Sequence, residues 1–142
     1  MGTRRIAREL ALQILYQKEI GQENLGQILT SLRQNSDKKF STEVWNYAQQ
    51  LASGALENQA NIDELIAQYS DHWELSRICL IDRNILRLAI YEMLYSPETV
   101  PPNVCINEAL EIAKKFSSHL SPAFINGILD KVKAHAFKGT LS

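Results

Sequence analysis

Apolar residues recur at helical spacing along nearly the whole 142-residue chain, and no stretch alternates as a half-buried strand requires. A strand turns successive side chains to opposite faces, so this spacing could not keep its apolar residues on one side of a sheet. Six glycines and four prolines leave few interruptions. The pattern therefore predicts an all-α fold of about seven helices with short connections, packed as bundles. No solenoid repeat or low-complexity linker is visible, and residues 1–142 read as a single domain.

The first helix is expected over Arg4 to Ile20, stopped by Gly21, and the second over Leu25 to Asn35. A polar break, residues 35–39, leads to a third helix at Thr42 to Asn58, capped by Ser41 or Thr42. Asn61 or Asp63 can cap a fourth that ends near Tyr69, and the turn at 71–75 is expected to anchor through Trp73. Residues 76–95 are apolar almost all round, which predicts a central helix. A sixth should start at Pro101 or Pro102 and run to Phe116. In the seventh, Ser121 caps, Pro122 occupies the first turn, and Phe124, Ile128, Leu129 and Val132 form the buried stripe.

Net charge is −1, but it is unevenly distributed. Residues 1–8 carry +3, residues 114–142 carry +4, and the acidic stretch between them carries −8. Basic ends that met in space would make a cationic face suited to nucleic acid, while the acidic middle suits a basic protein partner. The start of the chain resembles neither a signal peptide nor a myristoylation signal, and no run of about twenty apolar residues exists. A cytoplasmic protein without a membrane association is expected, with Cys79 and Cys105 as reduced core thiols. No phosphate-binding glycine loop, nucleophile elbow or metal-ligand spacing is present, so neither an enzyme nor a cofactor is expected.

Projection of the first helix at 100° per residue puts Ile6, Ala7, Leu10, Ala11, Ile14 and Leu15 on one half. The other half holds Arg5, Arg8, Glu9, Leu12, Gln13 and Tyr16, and so is expected to face outward. Arginine forks bind phosphates bidentately, and tyrosine offers a stacking face with a polar tip. This makes the first helix the principal candidate surface for a partner. A homodimer through Leu12 and Tyr16 is left open.

Four blocks carry a resemblance. Residues 4–16 (RRIARELALQILY), 82–92 (DRNILRLAIYE), 104–116 (VCINEALEIAKKF) and 124–130 (FINGILD) together resemble the NusB transcription antitermination family, in that family's order and across essentially the whole chain. The resemblance implies seven helices in two small packed bundles. It also implies a factor that binds boxA RNA jointly with NusE, a small-subunit ribosomal protein, and joins other Nus factors on RNA polymerase during ribosomal RNA synthesis. It assigns Arg4, Arg5 and Arg8 to RNA, and Tyr16 and Asp82, with Leu12 alongside, to the partner protein. Lys114 and Lys115, at the end of the sixth helix, are further RNA candidates that also suit the helix dipole. The loop at 117–122 departs from the family pattern in lacking a glycine and acidic residues.

Within the shared blocks, Asn107 and Asn126 are expected to be structural amides in apolar surroundings, and Gly127 to permit a close helix crossing. Arg83 and Arg87 are expected to pair internally with Glu92, Glu108 or Glu111. Two other readings compete. Domains like this also position RNA in certain ribosomal RNA cytosine methyltransferases, although this chain ends at Ser142 with no cofactor domain; and a helical protein-interaction module would need no RNA.

Overall fold

The computed structural model describes residues 2–35, 40–71 and 74–137. Among them are seven α-helices and no strand: α1 (Thr3–Ile20), α2 (Leu25–Asn35), α3 (Thr42–Glu57), α4 (Gln59–Tyr69), α5 (Leu80–Leu94), α6 (Pro102–Phe116) and α7 (Ser121–Ala136). A single 3-10 turn, Leu75–Arg77, precedes α5. None of these helices is long and apolar enough to cross a membrane.

Local chemistry sets most boundaries. The Ser41 hydroxyl accepts from the Val44 amide at 3.2 Å and starts α3. Pro102 opens α6, where its missing N–H costs nothing. Three boundaries differ from expectation. Helix α4 begins at Gln59, because Asn58 ends α3 and starts α4 with no linker between them. Helix α5 begins only at Leu80, the preceding residues forming the 3-10 turn and an extended step at Ile78 and Cys79. Ser121 is the first residue of α7 and not its cap; its hydroxyl is used elsewhere, as described below. The Trp73 anchor, and all but the first residue of the polar break at 35–39, lie outside the described residues.

Helices α1–α3 pack as one small bundle and α4–α7 as another, and α5 belongs to both, touching α1, α3, α4, α6 and α7. That explains its apolar circumference: every residue from Asn84 to Met93 is buried. The α3–α5 crossing is closed by Gly54, where a methyl group would lie 2.1 Å from the Tyr91 ring. Gly54, and not Gly127, is thus the glycine a close contact demands; a methyl group on Gly127 would meet open space. In α7 the buried stripe is Ile125, Ile128, Leu129 and Val132, with Phe124 only half-buried. Asn107 is exposed and Asn126 half-buried, so the expected interior role does not hold for Asn107.

Candidate nucleic-acid interface

Side chains from the N-terminal turns of α1 reach α6 and the loop entering it, and this seam gathers the arginines. Arg5 donates to Glu108 as a fork, Nε to Oε1 at 3.1 Å and Nη2 to Oε2 at 2.6 Å. Arg8 lies deeper. Its Nε and Nη2 donate to Glu92 at 2.9 Å each, and its Nη1 donates to Glu108 Oε1 at 3.2 Å. Arg4, the outermost, pairs with Glu98 and stacks over the Tyr47 ring at 4.5 Å. Tyr47 completes the inner end by donating its hydroxyl to Glu92. The result is a graded series, with the Arg8 side chain 9% exposed, Arg5 36% and Arg4 46%.

Burial and charge shape the protonation of this cluster. Burial opposes the charge on Arg8, but hydrogen bonds and attraction from Glu92 outweigh it and raise its pKa. The Arg5 hydrogen bonds hold the Glu108 carboxyl below its usual range. Burial, then the adjacent Glu92 carboxylate, raises the Tyr47 pKa, so the hydroxyl stays a donor. Burial likewise pushes the Cys105 thiol up to about 12. Arg4, Arg5, Arg8 and Glu108 border an open recess whose other wall is the α5–α6 loop, with Thr99, Val100 and Pro101.

The expected outward half of α1 therefore needs correction. Arg8 and Leu12 are both 7% exposed. Leu12 lines a small cavity with Leu51, Ile85 and Ile112, because α3 and α5 pack against α1 and α6 supplies another wall of the cavity. Arg5 and Tyr16 do reach the surface, Tyr16 being 40% exposed. Asp82 is buried: its two oxygens accept from the Ser117 hydroxyl at 2.6 Å and the Ser121 hydroxyl at 2.7 Å, tying the start of α5 to the α6–α7 loop. Leu12 and Asp82 are thus both buried in the free chain, with Asp82 at the edge of an open recess between the start of α5 and α7.

Lys115 returns to α1 by donating to Glu9 at 2.9 Å, while Lys114 pairs with Glu111 along its own helix. The basic ends do meet at the α1–α6 seam, but as cations interleaved with acids. Lys131 goes instead to Asp71 and Lys133 to Asn103, and Lys138 lies outside the described residues. Arg83 and Arg87 pair internally as expected, but with Glu19 and Asp63. Glu92 and Glu108 are taken by the α1 arginines, roles that sequence reasoning missed along with those of Tyr47 and Glu98. The available signal was that both glutamates fall in the blocks named above. Among the described residues no cluster of His, Cys, Asp and Glu is arranged to hold a metal ion.

Comparison with known proteins places this geometry. Residues 5–134 match the NusB family. The transcription antitermination protein NusB of Elusimicrobium minutum is 42% identical over 139 residues, covering 98% of this chain and 99% of that protein. The NusB of Bdellovibrio bacteriovorus is 44% identical over 136 residues, covering 95% and 98%. Among solved structures, T. maritima NusB superposes with a TM-score of 0.82 at 38% identity, covering 97% of this chain and 95% of that one. A crystal structure of antitermination factors NusB and NusE in complex with dsRNA gives a TM-score of 0.82 at 25% identity, covering 95% and 98%. With the match running from Arg5 in α1 into the last turn of α7, the chain belongs to the NusB family.

Proposed function

We propose that this chain is a non-enzymatic transcription antitermination factor that binds boxA-containing RNA together with a NusE-type ribosomal protein. In this reading it acts in the cytoplasm as one domain over residues 1–142, joins further Nus factors on RNA polymerase, and supports processive ribosomal RNA transcription. One observation carries it: the exposed Arg4 and half-exposed Arg5 flank an open recess in a chain of this family. A relative seen with NusE and dsRNA supports the choice of partners.

The site residues divide by exposure. Arg4 and Arg5 meet RNA phosphates or bases directly, and Lys114 and Lys115 extend the track along α6, about 10 Å further on at 1.5 Å per residue. Arg8, only 9% exposed where it lines the recess, positions Glu108 and through it Arg5. Tyr16 serves the protein partner, together with exposed Ile20, Phe116 and Leu120, of which Leu120 is 70% exposed.

The test is a titration with boxA RNA at two salt concentrations, with and without the ribosomal protein. Affinity should fall with salt, rise with the partner present, and weaken several-fold in Arg4→Ala and Arg5→Ala. Wild-type protein that bound neither RNA nor partner would remove the reading.

A further inference from the structure

Each cation assigned to RNA faces a carboxylate of the same chain: Arg4 meets Glu98, Arg5 meets Glu108, Lys114 meets Glu111 and Lys115 meets Glu9. Exposed pairs of this kind are weak and exchange readily with solvent or a ligand. Glu108, whose side chain is only 16% exposed like that of Glu9, is different in two respects. It binds the Arg5 fork through both oxygens, the arrangement two phosphate oxygens would adopt. It is also held from behind by Arg8 at 3.2 Å, and Arg8 is in turn locked onto buried Glu92.

An anion arriving at the recess therefore finds Arg5 already occupied. Arg8 also lines the recess, but its side chain is 9% exposed and locked onto buried Glu92, whereas that of Arg5 is 36% exposed, so the Arg5–Glu108 half of the chain of pairs is the one that opens. Resting on the RNA-binding reading above, we propose that Glu108 is an internal stand-in for an RNA phosphate. It parks Arg5 against α6 in the free protein, and it yields Arg5 to a backbone phosphate while staying tethered to Arg8. The carboxylate remains close to the incoming phosphate and repels it, so it sets a threshold. An RNA making several contacts along the seam overcomes that threshold, and an isolated phosphate does not.

Glu108→Gln keeps the side chain's size and removes its charge. With a boxA RNA oligonucleotide as probe, the variant should bind about three- to tenfold more tightly than wild type, the effect of removing one nearby like charge in a partly screened site. Its affinity should also depend more steeply on salt, by up to about 0.7 in the log–log slope for single-stranded RNA, because Arg5 now counts as a full cation. Inorganic phosphate alone should bind neither protein detectably at concentrations where the RNA saturates.

Equal or weaker RNA binding by the variant with an unchanged slope would overturn the proposal, leaving Glu108 as a simple prop for Arg5. Should Glu108→Gln fail to fold, the wild-type side-chain NMR spectrum decides: added RNA should shift the Arg5 Nε–H resonance and leave that of Arg8 in place. An unmoved Arg5 resonance in an RNA-saturated sample would also overturn it. Wild-type protein that binds no RNA would instead dismiss the RNA reading, and this inference with it.

Discussion

The two ends of α1 carry charge networks of opposite sense. At its start α1 supplies the arginines, and the carboxylates come from α5, α6 and the loop between them. At its end α1 supplies Glu19, which accepts from Arg83 at 2.7 Å and from Asn84 at 3.0 Å, both on α5. Arg87 joins the same group and forks onto Asp63 of α4 at 2.8 and 3.0 Å. Both networks run against the helix dipole, which favours acids in the first turn and bases such as Lys18 in the last by about 0.3–1 kcal/mol each. Neither set of charges is therefore there to stabilise α1 as a helix. Both exist for tertiary contacts, but only the N-terminal set borders the open recess with its outermost members exposed. The C-terminal set is a clamp between helices; the N-terminal set is a clamp at its inner end and opens onto a recess at its outer end.

The largest test of that contrast is Arg8→Ala, which strands the buried Glu92 carboxylate. It should lower unfolding free energy by about 3–5 kcal/mol in a denaturant titration. At the other end, Arg87→Ala should cost less, about 1–3 kcal/mol, because Glu19 and Asp63 retain partial exposure to water. Equal losses would mean that the two networks do not differ in burial energetics.

A smaller effect is pH-dependent. The carboxyl of Glu108 is held below the ordinary value of 4.5, so its contribution to stability is fully present above that value and is lost as pH falls through the folded pKa. The stability difference between wild type and Glu108→Gln should thus be greatest near neutrality and shrink below about pH 4.5. A difference that stayed constant down to pH 2–3, well below the reference value for a free glutamate, would show that charge is not its source.

Thiol labelling reports the inner end without unfolding the protein. Exposed Cys79 should react with a maleimide at pH 7–8, while Cys105, buried and with its pKa pushed up to about 12, should resist. Labelling of Cys105 should rise in Arg8→Lys if Arg8 seals that end, and unchanged labelling would count against it. The smallest stability effect belongs to Arg4→Ala, whose exposed pair with Glu98 should contribute under about 1 kcal/mol while its loss still weakens RNA binding.

Helix type and most helix limits were legible in the chain because they depend on local chemistry. The spacing of apolar residues specifies the face each helix buries, Gly21 stops α1, Ser41 caps α3 and Pro102 opens α6. The central place of α5 was legible too, since only a helix covered on all sides can carry apolar residues all round. The resemblance of the four blocks was likewise a property of the residues alone.

Which members of α1 reach solvent was not legible. Projection divides an isolated helix into an apolar and a polar half, yet α3 and α5 both pack against α1 and side chains of α6 reach it, burying Arg8 and Leu12. Nor could charge partners be read from spacing: Arg8 finds Glu92 84 positions away and Lys115 finds Glu9 106 positions away, where intrahelical rules have no reach. Asp82 lost its expected exposure in the same way, to two serine hydroxyls brought beside it by the turn into α7. Sequence alone determined that this is a helical chain with an arginine-bearing first helix. Tertiary packing decided that one of those arginines is a buried strut, one is held by Glu108, and one stands in the open, because burial is a property of neighbouring helices.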